Sequence, residues 1–158
     1  MTRRSARLDL SGFLPYRLSV VTNRLSRTLA GLYADRFDLT IPEWRVMAVL
    51  APCAGQTADQ IGAATEMDKV TVSRAVARLR GKGYLRRDVS ARDRRRYHLT
   101  LTDEGYAVYG RVVPLARRVE REVLAGLSDR ERRALEQALG ALERRVAAVA
   151  EAYARRGQ

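Results

Sequence analysis

Apolar positions along the chain follow two rhythms, one near 3.6 residues and one of two. From Phe13 to about Arg36, Leu14, Leu18, Val21, Leu25, Leu29 and Leu32 recur at helical steps with Arg17, Arg24 and Arg27 between them, which predicts one long helix. "LTIPEWRVMAVLA" predicts a second, because Thr40 and Glu43 have capping-box spacing, Pro42 suits a first turn, and Pro52 ends the run. Thr57 and Gln60 repeat the cap before "ADQIGAAT". Asp68 caps a fourth helix, in which Val72, Ala75, Val76 and Leu79 form one inward stripe before Gly81 and Gly83 stop it. The period then falls to two. "YLRRD" and "YHLTLT" read as short strands joined by the hairpin "VSARDRRR", with Tyr97, Leu99 and Leu101 on one face of the second. Thr102, Asp103 and Glu104 restart a helix that passes Pro114, where a kink is expected, and reaches about Ala125. Ser128 and Glu131 cap the last helix, whose Leu135, Leu139, Leu142, Val146 and Val149 share a stripe extending to about Ala154.

The order is a long helix, three shorter helices, a hairpin and two long helices. This predicts a mainly α fold with a small β-hairpin wing: a winged helix-turn-helix lobe over residues 40–102, within a single domain spanning residues 1–158. The terminal helices, 13–36 and 103–155, carry apolar stripes longer than a lobe of roughly 60 residues can cover. Pairing with a second copy would cover them, so a homodimer is expected and these are its dimerisation helices.

Charge narrows the partner. Lys and Arg outnumber Asp and Glu by 30 to 18 in 158 residues, a formal charge of +12 that points to a polyanion, nucleic acid first and an anionic membrane surface second. The excess is nearly all arginine, which forks onto phosphates and guanine edges. No stretch approaches the roughly 20 apolar residues of a membrane span, and the basic start "MTRRSARLDL" lacks a signal-peptide core, so a cytoplasmic protein is expected, with no membrane partner. The lone Cys53 cannot form an intrachain disulfide and, at the end of an apolar run, is expected to be a buried inert thiol.

Two charged segments carry the candidate chemistry. With Val72, Val76 and Leu79 turned inward, the fourth helix presents Val70, Arg74, Ala77 and Arg78 outward, with Lys69, Thr71 and Ser73 near its N-terminal end. Arginine can reach guanine, hydroxyls can reach either base or phosphate, and Val70 can meet a thymine methyl. In the hairpin, Arg92, Arg94, Arg95 and Arg96 crowd around Asp93 and would repel one another in a free turn unless a polyanion neutralised them; an arginine at such a tip suits a narrow minor groove. Enzymatic chemistry has little to build on: His98 is the only histidine, no cysteine cluster or Gly-rich phosphate loop accompanies it, and no cofactor is indicated. A nonspecific architectural protein would share the charge but would not need Ser, Thr and Arg presented on a helix.

These blocks, in this order and spacing, resemble the multiple-antibiotic-resistance regulator (MarR) family. "LTIPEWRVMAVL" is similar to its second helix, "MDKVTVSRAVARLRGKGYLRR" to its recognition helix and first wing strand, and "DRRRYHLTLTDEG" to its wing motif. The resemblance implies Thr71, Ser73 and Arg74 as recognition-helix contacts, Arg95 as the wing-tip arginine and Asp93 as the carboxylate orienting it. It implies a homodimer built from the first, fifth and sixth helices and a small-molecule effector pocket, and the expected function is a repressor on a palindromic double-stranded DNA operator, released by that effector. The effector pocket would lie where those helices meet the DNA-binding lobe, near Tyr16, Ile41 and Trp44, and aromatic rings paired with arginines would suit an aromatic acid or its thioester. The family's peroxide-sensing branch keeps its reactive cysteine in the first helix; here that helix has none.

Overall fold

The computed structural model describes residues 8–89 and 97–156. In chain order the elements are α1 (Leu14–Phe37), α2 (Ile41–Leu50), α3 (Ala58–Thr65), α4 (Lys69–Gly81), β1 (Leu85–Val89), β2 (Tyr97–Leu101), α5 (Asp103–Leu124) and α6 (Asp129–Arg156). They form two compact units, Met1–Ala116 and Arg117–Gln158.

The expected caps set the helix starts. Glu43 Oε2 accepts from the Thr40 amide at 2.6 Å and its hydroxyl at 2.8 Å, Gln60 Oε1 accepts from the Thr57 amide at 2.8 Å, and Glu131 Oε2 accepts from the Ser128 amide at 2.8 Å. Each closes a reciprocal pair that satisfies amides a helix start would leave orphaned. The end of α4 is equally specific. The Gly83 amide donates to Arg80 O at 3.0 Å and the Tyr84 amide to Leu79 O at 2.9 Å, while Gly83 takes φ +75°. This is a Schellman ending, and it needs a residue without a Cβ penalty at Gly83.

In the first unit the core gathers Leu39, Val46, Met47 and Leu50 with Ile61 of α3 and Val72, Ala75 and Leu79 of α4, all buried. Tyr33 and Phe37 at the end of α1, Leu85, Leu99 and Leu101 of the hairpin, and Val108 and Val112 of α5 complete it. Burial of each large aliphatic side chain stabilises by about 1.5–3 kcal/mol, so this cluster fixes which face of α4 turns in. Of the predicted inward stripe on α4, Val76 is only half-buried.

The strands pair antiparallel in the register Leu85↔Leu101, Arg87↔Leu99 and Val89↔Tyr97. Gln56 adds a single bridge to Leu99, and the His98 Nδ1–H donates to Gly55 O at 2.6 Å, so β2 is tied to the loop before α3. At the base of the hairpin the Thr102 hydroxyl donates to Gly83 O at 2.7 Å and accepts from the Gly105 amide at 3.1 Å.

Two local expectations need adjustment. Cys53 is exposed rather than buried, because Leu50 is the last inward position of α2 and the turn after it leaves the core. Tyr97 does not share the burial of Leu99 and Leu101; it stands at the open end of β2 with its ring under the Arg87 guanidinium. As expected, helix α5 continues through Pro114, an exposed residue.

Residues of the second unit are largely exposed. In α6 no residue is buried, and Leu135, Leu139, Val146, Val149 and Tyr153 are open to solvent. Leu14, Leu18, Val21, Leu25 and Leu32 of α1, in the first unit, are exposed in the same way.

Among the glycines described, Gly105 has the least room: a Cβ there would clash with the Tyr84 carbonyl oxygen. Gly105→Ala must therefore push the start of α5 away from the hairpin base, and we expect a loss of about 1–3 kcal/mol in denaturant unfolding. Gly110→Ala, where nothing lies within 4 Å, should leave stability unchanged or improve it.

Candidate nucleic-acid interface

Because helical neighbours recur every four residues, α4 presents two parallel lanes, Lys69–Ser73–Ala77 and Val70–Arg74–Arg78. All six are exposed, while Val72, Ala75 and Leu79 behind them are sealed in the core. Val70 is 58% exposed, an apolar side chain left in water among cationic neighbours. Small residues in the first lane leave room beside the long side chains of the second.

Thr71 behaves differently from the other predicted contacts. It is half-buried, and its hydroxyl donates to Asp68 Oδ2 at 2.6 Å while its amide donates to Oδ1 at 2.8 Å. Its proton is committed to the cap, so only its oxygen lone pairs remain for a ligand. The same bonds hold the exposed Asp68 carboxyl below its ordinary range, the hydroxyl contributing most.

Beside the first lane runs a cleft of about 690 Å³. One wall is Lys69, Ser73 and Ala77; the other is Arg87, Tyr97 and His98 of the hairpin, and the N-terminal turn of α3 closes an end. The Arg87 guanidinium sits over Tyr97, its Cζ 3.1 Å from the ring centroid, a cation–π contact that holds it against the open end of the strand pair. Arg87 and Tyr97 were not legible as partners in the sequence, since their diagonal relation depends on strand register. The predicted wing residues Arg92, Asp93, Arg94 and Arg95 lie outside the described residues.

The three predicted effector residues are not gathered together. Trp44 is half-buried between two tyrosines, stacked on Tyr109 with centroids 5.6 Å apart and tilted against Tyr33 at 5.9 Å. Ile41 is half-buried at the start of α2. Tyr16 is exposed near the start of α1, about 25 Å along that helix from Tyr33 at 1.5 Å rise per residue. Around Trp44 the sequence did not reveal Arg45, whose Nη2 donates to Ser26 Oγ at 3.4 Å, or the buried Tyr33, whose phenol burial pushes up to about 12 against the pull of Arg45.

The sequence model of the MarR family matches residues 37–96, which contain α2 through β1. Over 94 residues the chain is 34% identical to the transcriptional regulator HosA of Escherichia coli O127:H6, an alignment covering 60% of this chain and 70% of HosA. The chain belongs to the MarR family. MarR proteins are transcriptional regulators, and this one is a regulator rather than an enzyme. Among solved MarR-type folds, the PcaV regulator of Streptomyces coelicolor, determined with its natural ligand, is 28% identical with a TM-score of 0.69, covering 90% of this chain and 97% of PcaV. FabT of Streptococcus pneumoniae, determined in complex with DNA, is 25% identical with a TM-score of 0.70, covering 89% and 99%. The mainly α architecture with one antiparallel hairpin is thus the winged-helix MarR fold. Among the described residues, no helix is long and apolar enough to cross a membrane.

The Asp68 cap gives the interface a defined acid limit. Because the folded carboxyl is held below its unfolded value, its stabilisation is present at neutral pH and is lost as pH falls through that lowered range. We expect the protection factors of first-turn amides of α4, taken relative to intrinsic exchange at each pH, to fall below about pH 4, near the ordinary aspartate value. Asp68→Asn, which retains a capping oxygen without the charge, should remove most of that pH dependence.

Proposed function

We propose that the chain is a homodimeric transcriptional repressor that reads a palindromic double-stranded DNA operator and is released by a small-molecule effector. The observation that carries the DNA-binding reading is the two-lane face of α4, charged and hydroxylated outward and apolar inward. In this reading Arg74 and Arg78 would read guanine edges, Lys69 and Ser73 would engage phosphate or base, and Val70 would pack on a thymine methyl. Arg92, Arg94 and Arg95, with Asp93 orienting the wing tip, would contact the neighbouring minor groove. FabT's complex with DNA supports this use of the fold.

Dimerisation by residues 13–36 and 103–155 around the 40–102 lobe is supported by the exposed apolar stripes of α1 and α6, which a second copy would cover. Two-fold symmetry then places two recognition helices about one DNA turn apart, roughly 10 bp between half-site centres. For the effector, Trp44 between two tyrosines, with Arg45 beside them, suits a planar anionic ligand such as an aromatic acid or its thioester, with Ile41 as an apolar neighbour. Tyr16 joins such a site only if supplied by a second copy. PcaV's structure with its natural ligand supports a ligand-responsive member. Release is a population shift: the effector favours a recognition-helix spacing that does not match successive major grooves.

Footprinting on a duplex enriched by the protein from a random library tests the DNA reading. A short protected palindrome is expected, and Arg74→Ala should cost about 1–3 kcal/mol and relax preference at one position of each half-site. Uniform weak protection, with Arg74→Ala equally damaging on every sequence, would mean an architectural protein.

For the effector, an aromatic acid that binds should raise the melting temperature and weaken operator affinity together, because linkage makes the two effects reciprocal. Trp44→Phe should blunt the response while leaving operator affinity within about twofold, since the ring volume is largely kept. A thermal-shift series over aromatic carboxylates and their thioesters, followed by operator titration of any hit, measures both.

A further inference from the structure

Glu43 is the only fully buried charged side chain among the described residues, and the proposed reading of DNA makes no use of it. Its Oε2 closes the cap of α2 and its Oε1 accepts from Lys82 Nζ at 3.1 Å. Lys82 Nζ also meets Asp38 Oδ2 at 3.2 Å and donates to the Asp38 backbone carbonyl. The ammonium thus donates two hydrogen bonds, to the Asp38 carbonyl and the Glu43 carboxylate, and forms an ion pair with the Asp38 carboxylate. Asp38 is the left-handed C-cap of α1, Glu43 lies in the first turn of α2, and Lys82 is the C-cap of α4 within the Schellman ending. One ammonium therefore joins the ends of three helices.

Apolar residues could close such a joint with comparable stability, since desolvating an ion pair offsets much of its attraction. What two directed hydrogen bonds and an ion pair add is a fixed point. From Lys82 to Lys69, α4 extends about 18–20 Å, so a tilt of about 10° at its C-terminal end would carry the N-terminal contact residues roughly 3 Å, the length of a hydrogen bond. Hairpin strand β1 leaves from the same end, through Gly83 and Tyr84.

We propose that Lys82 is a positioning residue for DNA recognition: held by Glu43 and Asp38, it sets the angle at which α4 and the base of the wing meet DNA without touching DNA itself. This rests on the operator-binding reading above. Lys82→Met alone strands a buried carboxylate and is liable to unfold, so the decisive protein is the full-length double variant Lys82→Met/Glu43→Gln, which keeps a capping oxygen on residue 43 and leaves the net charge unchanged. Its affinity for the duplex enriched by the unmodified protein, and for a scrambled duplex of equal length and composition, is measured alongside its melting curve. The expected result is a cooperative melt, scrambled-duplex affinity within about twofold, and enriched-duplex affinity down roughly tenfold, the scale of a coupling carried through packed elements. Equal losses on both duplexes, or a lowered melting temperature with unchanged discrimination, overturn the assignment and leave the joint a stability element. If the unmodified protein itself fails to discriminate the two duplexes, the operator-binding reading falls and takes this inference with it.

Discussion

The lobe depends on a single seam, the line Val72–Ala75–Leu79 pressed against α2 and α3. Because those side chains have essentially no exposed surface, α4 has no rotational freedom about its own axis, and the outward lanes are defined by default. An amphipathic helix is often described by its polar face, yet here the polar face is a consequence. Rotating α4 by one residue, about 100°, would bring charged side chains into the core, at a cost far above the stability of a domain this size.

Much of this was legible in the sequence because the signals were local. Three capping boxes place their helices within a residue or two, since Thr40/Glu43, Thr57/Gln60 and Ser128/Glu131 satisfy backbone amides that nothing else nearby can reach. The switch from helical period to alternation at Leu85 marks the hairpin, and its inward residues Leu99 and Leu101 are buried as expected. The exposed composition of α4 follows from the same periodicity.

What could not be read depends on register and on distance along the chain. Arg87 over Tyr97 requires knowing which strand residues are diagonal; Lys82 with Asp38 and Glu43 joins positions about forty residues apart, which no helical or strand period relates. Trp44 was legible as an aromatic near the lobe's edge, but its contacts with Tyr33 and Tyr109 draw on three different helices. Cys53 failed for a related reason. An apolar run predicts burial only while the helix lasts, and here the helix ends just before it, at Leu50.

Helix α6, in which no residue is buried, follows the lobe in the chain and so leaves the ribosome after it. Synthesis proceeds at about 5–20 residues per second and domains tend to close as they emerge. The apolar positions of α2, α3, α4 and the hairpin all precede residue 102, so they can find one another while Leu135, Leu139 and Val146 are still inside the exit tunnel or not yet made. An exposed leucine stripe is a hazard to a half-built core, offering wrong partners of the right chemistry. Because α6 follows the lobe in the chain, its stripe is separated from the forming core in time, a shield that the equally exposed stripe of α1, made first, does not have.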